Sequence, residues 1–557
     1  MRKDMKMNIK NIFTAVAAAA MLTACVGDLD TIPLNPTDVT SETAYGADEA
    51  GYLQGLAKIY FQLTSNNTQD LQVADGGASE FIRAFWSTQE VTADAAKCAW
   101  GDAWVNDLNN NTWKGDVLND AVYAVYVRTL QGITYVNEYL RQTSAANLDL
   151  RGCSADVKAK VQQFRAEARF LRAFFYWAAM DTFGQVPFST EETKFGGGYN
   201  PPQQPREYIF NFVMEELVDL AGDDSAMPAA QSNYPRADKG SVLGLLARLY
   251  INGEVYTGVK ASKDLGKTWT KLAQETCEKI YGLGYALAPT YAELFRGDNG
   301  ENPDAKKEIL FAASYDAENN QSYGGTTYLT LSTLSGDDGA INIIGINGGW
   351  AGNRVPDHFV QTYFAPSAAD FTTGDYTIAD KRGQLFYIKG RTQSMEDNLN
   401  TFLNGWSCIK FNNIPHDKTA EEYAETAATK NFSDIDWPLI RLGEIHLIYA
   451  EACMHEGGDA SKQLADLAER TGVPAVKQAD VTVDWLMAER ARELMWEAHR
   501  RTDLIRYGKW IDGGYNWTYK GGNFTGQALP SHFNIFPVPS TELATNLELD
   551  QNPGYAR

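Results

Sequence analysis

The chain has 557 residues, 22% charged and 44% hydrophobic, a globular rather than a disordered balance. Its net charge of −22 at pH 7 argues against nucleic acid and anionic lipid headgroups as partners, since both would be repelled, and leaves neutral ligands open. Aromatic residues make up 12%, enough for a large core or for flat amphipathic faces on which the C–H side of a sugar ring can stack.

Arg2, Lys3, Lys6 and Lys10 form a positive N-terminal region, followed by an apolar run from Ile12 to Leu22 of signal-peptide length. That run is too short to span a bilayer, which takes ~20 residues. Leu22-Thr23-Ala24-Cys25 ends it with a small residue and then a cysteine, the pattern of a bacterial lipoprotein cleavage site. Residues 1–24 therefore read as a lipoprotein signal peptide and Cys25 as the lipidated residue. Residues 25–45, with Pro33 and Pro36, read as an extended tether. The chain is expected to hang from a membrane by lipid rather than cross it.

Apolar residues then recur at three- and four-residue spacings, predicting helices over 47–63, 118–141 and 155–182, the last ended by Gly184 and Pro187. Further helices are predicted at 204–221, 239–252, 268–282, 437–456, 460–471 and 482–498. Their pairing across short connections predicts a mainly α fold of tetratricopeptide-like helical pairs. Between 284 and 435 the periodicity fades and Gly, Asn, Ser, Thr and Asp rise, with strand-like pieces at Ile309–Ala313, Ile341–Ile346 and Leu385–Ile388. The expected organisation is a helical part over 46–283 carrying a ligand loop at 80–115, a loop-rich binding insertion over 284–435, and a C-terminal helical part over 436–557. Loops on a rigid helical frame commonly carry function.

Catalytic motifs are missing from the sequence. There is no GxSxG elbow and no HExxH; His455-Glu456 starts the latter and continues Gly457-Gly458-Asp459. Gly266-Lys267-Thr268 ends like a phosphate-binding loop, but Ala261 stands where its first glycine belongs. His446, His455 and His499 read as hydrogen-bonded structural residues. Cys98, Cys153, Cys277, Cys408 and Cys453 are scattered without a CxxC pair and read as small buried hydrophobes, with one long-range disulfide left open. The loop Asp298-Asn299-Gly300-Glu301-Asn302 with Asp304 has oxygens enough for calcium but lacks EF-hand spacing. It reads as a solvated turn, and no cofactor is assigned.

Separated motifs in order resemble the SusD/RagB family of outer-membrane lipoproteins. They are Arg165-Ala166-Glu167-Ala168-Arg169-Phe170-Leu171-Arg172 leading to Phe183-Gly184-Gln185-Val186-Pro187, Glu497-Ala498-His499-Arg500-Arg501 with Asp503-Leu504-Ile505-Arg506, and the terminal Phe536-Pro537-Val538-Pro539 and Gln551-Asn552-Pro553-Gly554-Tyr555. The resemblance covers essentially the whole mature chain. It implies a non-catalytic, surface-exposed glycan-binding lipoprotein of the outer membrane, partnered with a SusC-like TonB-dependent transporter. The arginines and glutamate of the first motif, and Arg500, Arg501 and Arg506, are expected to make ion pairs rather than touch ligand.

Within the family the starch-binding type looks nearest. Phe81-Ile82-Arg83, Trp100-Gly101-Asp102-Ala103 and Thr112-Trp113 resemble its ligand-loop region. The resemblance assigns ring stacking to Trp100 and a hydrogen-bonding contact to Arg83. Ala103 stands where that type has an asparagine contact, with Trp104 and Asn106 as possible substitutes. Gln321-Ser322-Tyr323-Gly324-Gly325-Thr326 and Gly348-Gly349-Trp350-Ala351-Gly352-Asn353-Arg354 resemble the stretches supplying the other aromatics. Tyr323 and Trp350 are the residues chosen, with Tyr328 the alternative to Tyr323. Three such rings would follow the bend of an α-1,4-glucan.

Overall fold

The computed structural model describes residues 44–66, 71, 73, 75–194 and 200–557. The signal peptide, Cys25 and all but the end of the tether lie outside the described residues.

A series of helices, each packed on the next, forms the frame. Asp120–Gln142 packs on Ala155–Phe183, which packs on Arg206–Ala221; Lys239–Ile251 and Trp269–Tyr281 continue the series. Ala155–Phe183 starts where the Ser154 hydroxyl accepts from the Val157 N–H and stops at Gly184, whose φ of +74° is natural only to glycine. Its Phe164, Phe170, Phe174 and Phe175 are fully buried.

The series does not stop at the loop-rich segment. Trp269–Tyr281 packs directly on Leu442–Glu456, which packs on Ser461–Thr471 and Val483–Glu493. The intervening chain leaves the array and returns to the helix beside its point of departure. Its strand Ile309–Ala313 pairs antiparallel with Trp437–Arg441, and the Phe311 ring meets that of Phe170 at 5.0 Å. The result is a mainly α, tetratricopeptide-like fold with a few two-stranded pairings.

A buried charge network fastens the two parts together. Glu493 holds Arg382 at 2.8 Å, Arg441 at 2.6 Å and also Arg470; Arg441 further pairs with Glu308 at 2.9 Å and Glu497 at 2.6 Å. Burial alone would raise the Glu493 carboxyl, but the guanidinium groups of Arg470, Arg441 and Arg382 hold it far below the usual carboxylate range.

Several local expectations change. Residues 437–441 form a strand rather than the start of a helix: every one is buried, so no alternation distinguishes the two. Ile341–Ile344 is one helical turn, not a strand, bounded by left-handed Gly339 and Gly345. The predicted 482–498 helix ends at Glu493, where Trp496 and Ala498 take positive φ. The fully buried Trp496 indole donates to the Ala95 carbonyl at 2.9 Å, and that contact requires the chain to leave the helix.

In the first motif, Arg169 pairs with Glu216 and Asp219, each at 2.8 Å, Arg172 with Glu216 at 3.0 Å, and Glu167 with Arg236. Arg500 pairs with Asp94 at 2.7 Å and Arg506 with Glu451 at 2.8 Å. Arg165 and Arg501 depart from the expectation. Arg165 donates to the Leu140 carbonyl and the Thr143 hydroxyl, and Arg501 to the carbonyls of Phe533 and Asn534. Both satisfy groups at helix ends instead of carboxylates. The five described cysteines are free and buried. No helix among the described residues is long and apolar enough to cross a membrane.

Candidate functional site

The two tryptophan loops are joined through the backbone. Lys97–Cys98 pairs antiparallel with Asn353–Arg354, and the Ala99 N–H donates to the Gly352 carbonyl at 2.9 Å. The Trp100 indole N–H then donates to the Trp350 carbonyl at 3.3 Å. Gly352 permits this approach, because a Cβ there would lie 2.9 Å from the Trp100 ring. Trp350 is held from the other side by its N–H on the Leu331 carbonyl at 2.8 Å. Both indoles remain half-buried.

Tyr323 completes the group. It is 53% exposed, and its ring centroid lies 6.2 Å from that of Trp350 at an angle of 49°. Tyr328 is 1% exposed, edge-on to Trp100 at 5.7 Å, with its hydroxyl donating to Asn353 at 3.1 Å. Of the two tyrosines, Tyr323 offers a face to solvent and Tyr328 forms the floor.

Arg83 lies behind the rings at 1% exposure. Its guanidinium packs 4.3 Å from the Tyr328 ring and 5.3 Å from that of Trp100, and pairs with the half-exposed Asp75 at 2.7 Å. Glu80 braces the Tyr323 loop. Its buried carboxyl joins the hydroxyls of Tyr315 and Ser322, and Ser322 accepts from the Gly324 N–H at 3.0 Å. Burial pushes the Glu80 carboxyl up to about 8, so it is protonated at pH 7 and can both donate and accept.

The structure thus brings Arg83, Trp100, Tyr323 and Trp350 together, with Arg83 beneath rather than on the surface. Ala103 is exposed at the start of the Ala103–Asn110 helix. Trp104 does not take over its place, being buried at 8% exposure. Asn106 is drawn into a polar rim in which exposed Asn400 donates to Asn106 at 3.0 Å and to the carbonyls of Ala99 and Trp100 at 3.3 Å each. Phe432 was missed from the sequence; its ring meets Tyr323 at 4.9 Å and extends the aromatic row. Its signal was available, since it stands alone among Lys430, Asn431, Ser433 and Asp434, as Trp100 does among polar neighbours.

The oxygen-rich loop, read from the sequence as a solvated turn, presents Asp298 to His416. The Asp298 carboxylate binds the His416 ring at 2.5 Å and accepts the His416 N–H at 2.9 Å. Together with Asp417 these are the one group among the described residues whose ligating atoms lie within 4.8 Å of one another.

A helical frame presenting a row of aromatic rings with amides at its edge defines a carbohydrate-binding type of surface, because rings cover apolar sugar faces while amides meet hydroxyls. Residues 358–555 match the family model described as the SusD family. The chain is 30% identical to the starch-binding protein SusD of Bacteroides thetaiotaomicron, covering 98% of this chain and 99% of that one. It belongs to the SusD family. Among solved structures, a SusD homologue from Bacteroides thetaiotaomicron superposes with a TM-score of 0.69 at 16% identity, covering 93% of this chain and 99% of that one. The surface glycan-binding protein A of the same organism, in complex with laminarihexaose, gives 0.63 at 18%, covering 90% and 98%.

Proposed function

We propose that this protein is a non-catalytic, cell-surface α-glucan-binding lipoprotein. It captures starch and malto-oligosaccharides on Trp100, Tyr323 and Trp350 and passes them to a SusC-like TonB-dependent outer-membrane transporter. The observation that carries the reading is the convergence of three rings from distant parts of the chain, locked by the Trp100–Trp350 contact. Similarity to a starch-binding relative along nearly the whole chain supports the ligand class. In this reading Cys25 carries the lipid, the tether keeps the platform near the transporter mouth, and local concentration rises without new contacts. An acidic protein suits the task, since a neutral polymer is not repelled.

A second reading keeps the architecture and changes the ligand to another glycan or a peptide. Ala103 favours it by removing a polar contact, and one structural neighbour holds laminarihexaose. Affinity electrophoresis of the purified protein through amylopectin, laminarin and unrelated polysaccharides separates the two. Retardation by amylopectin supports the first; retardation by laminarin alone replaces it. Release of reducing ends from amylopectin would overturn the non-catalytic part.

A further inference from the structure

Ala103 leaves its edge of the platform without a side-chain amide, and neither neighbour fills the gap. Trp104 is buried. Asn106, three residues on and on the same face of the Ala103–Asn110 helix, has its amide engaged at both atoms. Its Nδ2 donates to the Gly101 carbonyl at 3.2 Å, and its Oδ1 accepts from Asn400 at 3.0 Å. Asn400 arrives from the loop-rich insertion, 294 residues further along the chain. Its backbone is held on both sides of one peptide group. The Asn400 N–H donates to Asn398 Oδ1 at 2.9 Å, and the Leu399 carbonyl accepts from fully buried Arg354 at 2.5 Å. Arg354 also donates to the Asn404 carbonyl at 2.9 Å, and it lies in the strand pairing that joins the two tryptophan loops.

The partners of the Asn400 amide fix its direction. Its Nδ2 donates to the carbonyls of Ala99 and Trp100 at 3.3 Å each, and a backbone carbonyl only accepts. The nitrogen therefore faces the Trp100 loop; turning the amide over would set oxygen against oxygen. Its two N–H groups are shared among three acceptors, so only the oxygen is left to offer a ligand. Asn400 is exposed, and its Oδ1 has no donor among the described residues. The amide is fastened to the backbone of Trp100 itself, so its place beside that residue is set before a ligand arrives. Resting on the α-glucan reading above, we infer that Asn400 is a specificity-determining residue of the platform. Its oxygen accepts a hydrogen bond from a hydroxyl of the sugar stacked on Trp100, and it supplies the polar contact that Ala103 does not make. An oxygen in this role favours a ring with a free hydroxyl facing it and disfavours a carboxylate there, which could only accept.

The test measures maltoheptaose binding by isothermal titration calorimetry to the purified protein and to Trp100→Ala, Asn400→Ala, and Asn400→Ala combined with Ala103→Asn. Losing one neutral hydrogen bond should make Asn400→Ala bind about fivefold more weakly than the parent. Ala103→Asn returns an amide to the platform edge from the helix and should recover most of that loss. Asn400→Gln keeps the amide but moves its oxygen by one methylene; it should also weaken binding, and it serves if Asn400→Ala does not fold. Asn400→Ala within ~2-fold of the parent, while Trp100→Ala loses binding, overturns this inference and leaves the platform standing. Weakening that Ala103→Asn does not rescue makes Asn400 a support of loop shape alone and overturns it as well. A parent that does not bind maltoheptaose, or a Trp100→Ala variant that binds as the parent does, brings down the α-glucan reading and this inference together.

Discussion

Tyr323 gives the cleanest measure of the platform, because it is the ring least committed to the fold. It is 53% exposed and touches Trp350 and Phe432 at ring distances of 6.2 and 4.9 Å. A tyrosine side chain presents roughly 200 Å² when free, so about 100 Å² remains open here. A sugar covering one ring face takes about half of that, ~50 Å². At ~25 cal/mol per Å² this is worth ~1.3 kcal/mol, close to tenfold in Kd. Tyr323→Ala should therefore weaken malto-oligosaccharide binding about tenfold by isothermal titration calorimetry, with the melting temperature nearly unchanged. Tyr323→Phe keeps the face and should stay within ~2-fold of the parent. An alanine variant within ~2-fold of the parent, with its fold intact, would refute the stacking argument.

The frame behind the rings makes its own predictions. Gly352→Ala places a Cβ 2.9 Å from the Trp100 ring and should displace the indole, weakening glycan binding while far-UV circular dichroism is unchanged. Glu493→Ala leaves three buried arginines short of a partner and should destabilise the protein by ~3–5 kcal/mol in urea unfolding. Glu80 retains its proton in the native state up to about 8, whereas the unfolded chain releases it near its ordinary value. Its contribution therefore falls as pH rises from about 4.5 towards 8, and Glu80→Gln should flatten that part of the stability profile while keeping binding at pH 7. Cys25→Ser should spare binding in solution, move the protein out of the membrane fraction and impair uptake in cells. Unchanged fractionation would remove the lipid anchor from the proposal.

The helical frame was legible because long amphipathic periods declare themselves; the ends of Ala155–Phe183 fall within a residue of the predicted bounds. Legibility failed where burial is complete on all sides, as at Trp437–Arg441, and where a single side chain dictates the backbone, as at Trp496. The platform was partly readable. Trp100, Tyr323 and Trp350 stand out as aromatics among glycines and polar residues, but nothing in their spacing tells that Arg83 is buried behind them. Phe432 arrives from more than a hundred residues beyond Tyr323, and only folding sets it beside that ring.

The platform is framed by backbone and glycine and faced by side chains. The Lys97–Cys98 and Asn353–Arg354 pairing, the Ala99–Gly352 hydrogen bond and the carbonyl accepting from Trp100 do not depend on which side chain occupies position 350 or 323. Substitutions at the ring positions can therefore change the ligand while the scaffold is inherited intact. Lineages carrying this frame can vary the ring positions without rebuilding the fold, and Ala103, exposed at the start of its helix, is the kind of place where such divergence leaves its mark.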